Sequence, residues 1–251
     1  MTKVLFGLLL ATACMISHAA DNALLQTQRG ATVEIRAEFP KGNGPFPAVI
    51  LAPGQGYHMD LPILQEAAER LVADGFAVYR FNWAYFTRDP KQGEPSEDLS
   101  LEVEDMATVL AAARSDKRVD ASRISAAGKS LGSMVAWRLF RREPGLHKGV
   151  FLTPVCVNDD GKPDPQAAFV NYPGSAEEKR PVAFVSGDHD PLCANAALYD
   201  FAVRSGGQMR VAVVSGDHVF GTPTHAAADE ARTRSVVTRW VAEFLIDPAR
   251  P

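Results

Sequence analysis

Chemistry in this sequence centres on Gly128-Lys129-Ser130-Leu131-Gly132, a G-x-S-x-G pattern. So short a pattern arises by chance often enough that its setting must decide. Here an apolar run, 124–127, leads directly into it, and a helical pattern carrying Met134, Val135, Trp137, Leu139 and Phe140 leads directly out. A tight strand-to-helix turn of this kind holds a serine hydroxyl above a sheet, with glycines where a Cβ would collide. The helix N-terminus adds positive potential where an oxyanion would form. Two rival readings fail by spacing. Gly-Lys-Ser also ends a phosphate-binding loop, but the position five before Gly128 is Arg123. Gly54-Gln55-Gly56 begins like a dinucleotide fingerprint, but its third glycine would fall at Met59.

A serine hydroxyl is a poor nucleophile until a base takes its proton and an acid fixes that base. In this strand–turn–helix setting the partners follow in the order Ser, acid, His. His218 stands just past the apolar run 210–214, in Ser215-Gly216-Asp217-His218-Val219-Phe220, and is the expected base. His225 reads as a cap or surface residue of the last helix. Asp190, in Ser186-Gly187-Asp188-His189-Asp190-Pro191, is the expected acid. It is preferred to Asp188, which reads as a turn residue satisfying backbone amides. A metal site at Asp188, His189 and Asp190 lacks a convincing third ligand type elsewhere, so neither metal nor cofactor is expected.

An oxyanion needs two preorganised donors. The Leu131 N–H, next after the serine, is one candidate, and the Gln55 N–H, from the glycine-rich loop 53–57, is the other. Tyr57, His58, Trp83 and Tyr85, with Phe86, fall in loops expected near the site. They are candidates for substrate contacts, with packing beneath the loops as the competing reading. Lys129 suits either an anionic substrate group or a solvated or locally paired role, and Trp137 reads as core.

These residues need a scaffold. Apolar runs at 47–52, 76–81, 123–127, 149–153, 182–186 and 210–214 predict strands covered on both faces. Helical patterns at 60–73, 98–113, 130–141, 194–203 and 224–245 alternate with them. The first opens with Asp60 as expected N-cap and Pro62 in its first turn, and stops at Asp74-Gly75. Such alternation predicts an α/β fold with a doubly wound, mostly parallel sheet. A strand at 32–39 joins it, antiparallel in one reading. The stretches 85–97 and 157–180 lack periodicity and should lie over the sheet's C-terminal edge as loops or a small lid, not a cap domain.

The chain has 251 residues, 46% of them hydrophobic, and a net charge of −4, without basic stripes or charge runs; no nucleic-acid partner is expected. Met1-Thr2-Lys3, an apolar run 4–16 and Ser17-His18-Ala19 read as a secretory signal over 1–19, too short for a good membrane span. Residues 20–251 would then form a single periplasmic or secreted domain, without a membrane span. Lipid anchoring at Cys14 ranks second. Cys156 and Cys193 each follow a predicted strand. They suit one disulfide, although two buried thiols are the preferred reading.

With these pieces in order, residues 30–245 resemble the α/β-hydrolase superfamily. The Gly128–Gly132 elbow, Arg80-Phe81-Asn82-Trp83-Ala84-Tyr85, and Pro53-Gly54-Gln55-Gly56 followed by Met59-Asp60 are similar to a capless, dienelactone-hydrolase-like branch. Closer still are the predicted hydrolases related to a testis-expressed protein and to a subunit of the non-specific lethal chromatin complex. The resemblance implies a Ser130–Asp190–His218 hydrolase of small esters or related acyl compounds. Pro53 departs from the branch, which usually has His there. Ser130 stands where dienelactone hydrolases carry Cys, so their particular reaction is not implied. A catalytically idle binding protein, and a serine peptidase or thioesterase with the same triad, are the alternatives; the oligomeric state is left open.

Overall fold

The computed structural model describes residues 20–158, 160–162, 164 and 166–247. The expected signal segment 1–19, with Cys14, lies outside the described residues. The elements in order are β1 (Ala20–Gln26), β2 (Thr32–Glu38), β3 (Phe46–Ala52), α1 (Pro62–Ala73), β4 (Ala77–Asn82) and α2 (Ala84–Arg88). There follow α3 (Ser100–Ser115), β5 (Val119–Lys129), α4 (Leu131–Arg142), β6 (Gly149–Leu152) and α5 (Ala167–Asn171). The chain closes with β7 (Val182–Gly187), α6 (Asn195–Arg204), β8 (Met209–Val214) and α7 (Ala227–Ile246).

All strands join one sheet in the order β1-β2-β4-β3-β5-β6-β7-β8. β2 runs antiparallel to both neighbours, and the remaining pairs are parallel. The architecture is the expected doubly wound, mostly parallel sheet, without a large cap among the described residues. Strand alternation explains the continuous apolar runs. Val49 and Leu51 of β3 face Leu64 and Leu71 of α1 and Val237 and Val241 of α7. Ile50 and Ala52 face the other layer, with Met106 and Val109 of α3, Trp137 of α4 and Phe201 of α6.

Register then brings the functional stretches to one rim. Ala52 is level with Gly128, Lys129 with Leu152, Leu152 with Val185, and Gly187 with Val214. The loops after β3, β5, β7 and β8 therefore leave the sheet side by side.

Some local expectations need correction. Asp60 does not cap α1, whose N-cap is Leu61 with no side-chain bond. Two arginines from neighbouring strands claim the Asp60 carboxylate instead, Arg36 at 2.6 Å and Arg80 at 2.9 Å. The stop at Asp74-Gly75 is a Schellman motif: Gly75, at φ +93°, and Phe76 donate to the carbonyls of Val72 and Leu71. Cys156 and Cys193 form a disulfide rather than two thiols. Two five-residue helices, α2 and α5, stand in stretches expected to be loops, and β1 extends the sheet at its edge. No helix among the described residues is long and apolar enough to cross a membrane.

Candidate active site

Ser130 sits between the last residue of β5 and the first of α4, at φ 55° and ψ −125°. A non-glycine residue held there costs of order 1–3 kcal/mol and persists only where its surroundings fix it. They do. Its N–H donates to Leu152 at 2.9 Å, and its carbonyl accepts the Ser133 hydroxyl at 2.6 Å. Ser133 in turn meets the buried Tyr172 hydroxyl at 2.7 Å, and that hydroxyl accepts the Val155 N–H. The flanking glycines are steric necessities. A Cβ on Gly128 would lie 2.1 Å from the Gly132 carbonyl oxygen, and one on Gly132 would lie 2.3 Å from that of Pro53.

His218 belongs to a tight turn after β8, where the Asp217 carboxylate accepts the N–H groups of Val219 and Gly221. Its Nε2 lies 2.8 Å from Ser130 Oγ, and its Nδ1 lies 2.9 and 3.0 Å from the two oxygens of Asp190. The Asp190 side chain is fully buried and also accepts from Leu192 N–H and, at 3.3 Å, from the Ser186 hydroxyl. Asp188 has separate work: it accepts the Gly216 N–H at 2.8 Å, lacing the loop after β7 to the loop after β8. His189 and His225 are exposed. The structure thus brings Ser130, His218 and Asp190 together from three distant stretches.

The loop after β3 forms the neighbouring wall. A Cβ on Gly54 would lie 3.2 Å from Ser130 Cβ, so the loop backbone abuts the nucleophile position. Gln55 is exposed, and its side-chain amide donates to Glu94. Leu131 N–H is the first of α4, where no carbonyl of the same helix can reach it. Tyr57 packs over Gly54, and His58 is exposed, its ring 6.3 Å from that of Phe86. Trp83 is 0% exposed and donates its indole N–H to Pro53, so it supports the loop and offers no surface to a substrate. Tyr85 is buried also, which pushes its hydroxyl well above the usual phenol range.

The chain matches the model of the alpha/beta hydrolase domain family over residues 46–245. It belongs to that family. Among solved structures, it resembles an esterase from Pyrococcus furiosus with a TM-score of 0.70 and 17% identity, over 91% of this chain and 92% of that one. A dienelactone hydrolase from Anabaena variabilis gives a TM-score of 0.70 and 15% identity, over 93% and 99%. An alpha-beta serine hydrolase homologue from Coxiella burnetii gives 0.68 and 19%, over 88% and 97%. At these identities the likeness is one of fold. No curated protein sequence matches the chain.

In this alpha/beta hydrolase, the Arg80-Phe81-Asn82-Trp83 stretch has a mechanical meaning that its sequence did not reveal. Arg80 donates to the Met59 carbonyl and Asn82 accepts the Met59 N–H, both at 2.8 Å, while Trp83 holds Pro53. Both ends of the loop beside Ser130 are therefore fastened by one strand end. Asp105 on α3 steadies that strand end, accepting the Ala84 N–H and the Arg29 guanidinium. Burial outweighs those bonds and lifts its carboxyl to about 6. One further residue escaped sequence reading, Tyr172, which only the fold brings to Ser133, whereas the disulfide beside the Asp190 loop was the less favoured of the two readings of its cysteines. Among the described residues no cluster of His, Cys, Asp or Glu is placed to hold a metal ion.

Proposed function

We propose that this protein is a serine hydrolase cleaving small carboxylic esters or related acyl substrates through an acyl-enzyme. The observation that carries this is the unbroken relay from Ser130 Oγ through the imidazole of His218 to the buried carboxylate of Asp190. Ser130 attacks the carbonyl carbon as His218 Nε2 takes its proton. Asp190 fixes the tautomer with Nδ1 protonated and stabilises the imidazolium. The amides of Leu131 and Gln55 receive the tetrahedral oxyanion. Its collapse expels the alcohol, which takes the proton from His218. Water, deprotonated by the same imidazole, then attacks the acyl-enzyme and releases the acid and Ser130.

Among the described residues there is no large cap, which favours small, open-site substrates. Tyr57 and His58, beside the loop that abuts Ser130, are the proposed substrate contacts. The finer kinship with hydrolases related to a testis-expressed protein and a non-specific lethal complex subunit rests on the motifs alone. The Cys156–Cys193 disulfide supports export to the periplasm or beyond, where such bonds persist. A panel of p-nitrophenyl esters, thioesters and peptides tests the reading. Short esters should turn over, and Ser130→Ala should lower kcat by several orders of magnitude. Full turnover by Ser130→Ala contradicts it.

A further inference from the structure

Lys129 carries the one charged side chain of the elbow, and the proposed mechanism leaves it unused. It lies on the face of β5 shared with Ala127, beneath the loop that carries His218. Its side chain is fully buried, although a lysine is almost never buried without a partner. The partner is specific: the ammonium donates to the main-chain carbonyl of His218 at 2.9 Å. It also stands 4.9 Å from the centre of the Tyr57 ring, which packs over the loop beside Ser130. Asp190 and Asp217 are the carboxylates whose fields act on it.

We propose that Lys129 is a positioning residue that anchors the His218 backbone, so that the imidazole spans Ser130 and Asp190. The inference rests on the triad reading above. The nucleophile and the base loop are joined here through adjacent residues of one strand end: Ser130 meets the ring of His218, and Lys129 meets its carbonyl. The turn around Asp217 shapes the loop internally, but Lys129 ties it to the sheet. Its single cation also offsets the Asp190 charge from below. Burial is the dominant influence on the ammonium and lowers it to about 8, against the opposing pull of Asp190 and Asp217. Cation and anchor are therefore complete below that pH and weaken as pH rises through it.

The test compares wild type, Lys129→Met and Lys129→Gln on p-nitrophenyl acetate across pH, with melting temperature as a check on folding. Lys129→Met should lower kcat roughly ten- to a hundred-fold, the scale of a misplacement near 1 Å, with KM nearly unchanged. Lys129→Gln, which keeps a neutral donor, should recover part of the loss. Wild-type activity should decline as pH passes about 8, and neither variant should show that decline. A variant kcat within twofold of wild type, or an unchanged alkaline decline, overturns the proposal. If Lys129→Met does not fold, the Lys129→Gln profile decides on the same criteria. A crystal structure of whichever variant folds decides without turnover. Withdrawal of His218 Nε2 from Ser130 Oγ supports the anchor, and retention of the 2.8 Å contact refutes it. Failure of the triad reading shows separately, as turnover that survives Ser130→Ala.

Discussion

The indole N–H of Trp83 donates to the carbonyl of Pro53 at 3.1 Å, beneath the loop that abuts Ser130. The same carbonyl oxygen is the atom a side chain at Gly132 would strike. One buried acceptor thus joins the end of β4, the loop after β3 and the first turn of α4.

Trp83→Phe keeps most of the packing and leaves that acceptor without its donor, at a cost of about 1–3 kcal/mol. Because the loop presents the proposed Gln55 amide, kcat should fall more than KM rises. Urea unfolding and ester kinetics check both parts. An unchanged kcat would detach the loop from catalysis.

Gly132→Ala places a Cβ 2.3 Å from the Pro53 oxygen and 2.8 Å from that of Ala52, both main-chain atoms that cannot swing aside. Overpacking of this kind costs typically 1–3 kcal/mol, and here the displaced groups border the nucleophile. The expected result is a lower melting temperature with activity at least tenfold down. Thermal unfolding and the ester assay measure it.

The disulfide joins Cys156 to Cys193, three residues beyond Asp190, and Cys156 N–H donates to Leu192 within the same loop. Its sequence separation of 37 makes the bond worth about 2–4 kcal/mol by restricting the unfolded chain. Replacing both cysteines with alanine should lower stability by that amount and lower kcat by loosening the loop that presents Asp190. Denaturant titrations of the oxidised, reduced and double-alanine proteins provide the check.

Glu178 supplies a pH-dependent term. Burial alone would raise its carboxyl, but hydrogen bonds from the Arg180 side chain and amide and from Arg141 prevail and hold it down to about 2. A carboxylate depressed in the folded state contributes stability above its unfolded pKa and loses it as pH falls towards the folded one. The window is therefore between about 4.5 and about 2. Glu178→Gln should be less stable than wild type at pH 7, by on the order of 2 kcal/mol. The difference should shrink through that window, as unfolding free energies at pH 7 and pH 3 would show.

What the sequence revealed, and what it hid, follows from how far each signal reaches. Val49, Ile50 and Leu51, or Phe184 and Val185, announce strands covered on both faces because their neighbours alone make the run apolar. The Ser130 elbow is equally local. Lys129 was not legible as a buried group, since nothing near it in sequence discloses the His218 carbonyl 89 positions on. Asp60 read as a helix cap because its competitors, Arg36 and Arg80, arrive from other strands. Trp83 and Tyr57 are both aromatic loop-edge residues, and only the fold separates the wholly buried one from the half-buried one. β1 escaped notice because an edge strand with six of its seven residues exposed carries no apolar pattern. α2 and α5, at five residues each, are too short to show helical periodicity.

The most direct trial of the account is to expose the protein to a fluorophosphonate and locate the adduct by peptide mass spectrometry, in wild type and in His218→Ala. The prediction is one phosphonyl group, on Ser130, with modification slowed by orders of magnitude when His218 is removed. An unmodified Ser130, or an adduct formed equally fast without His218, would contradict it.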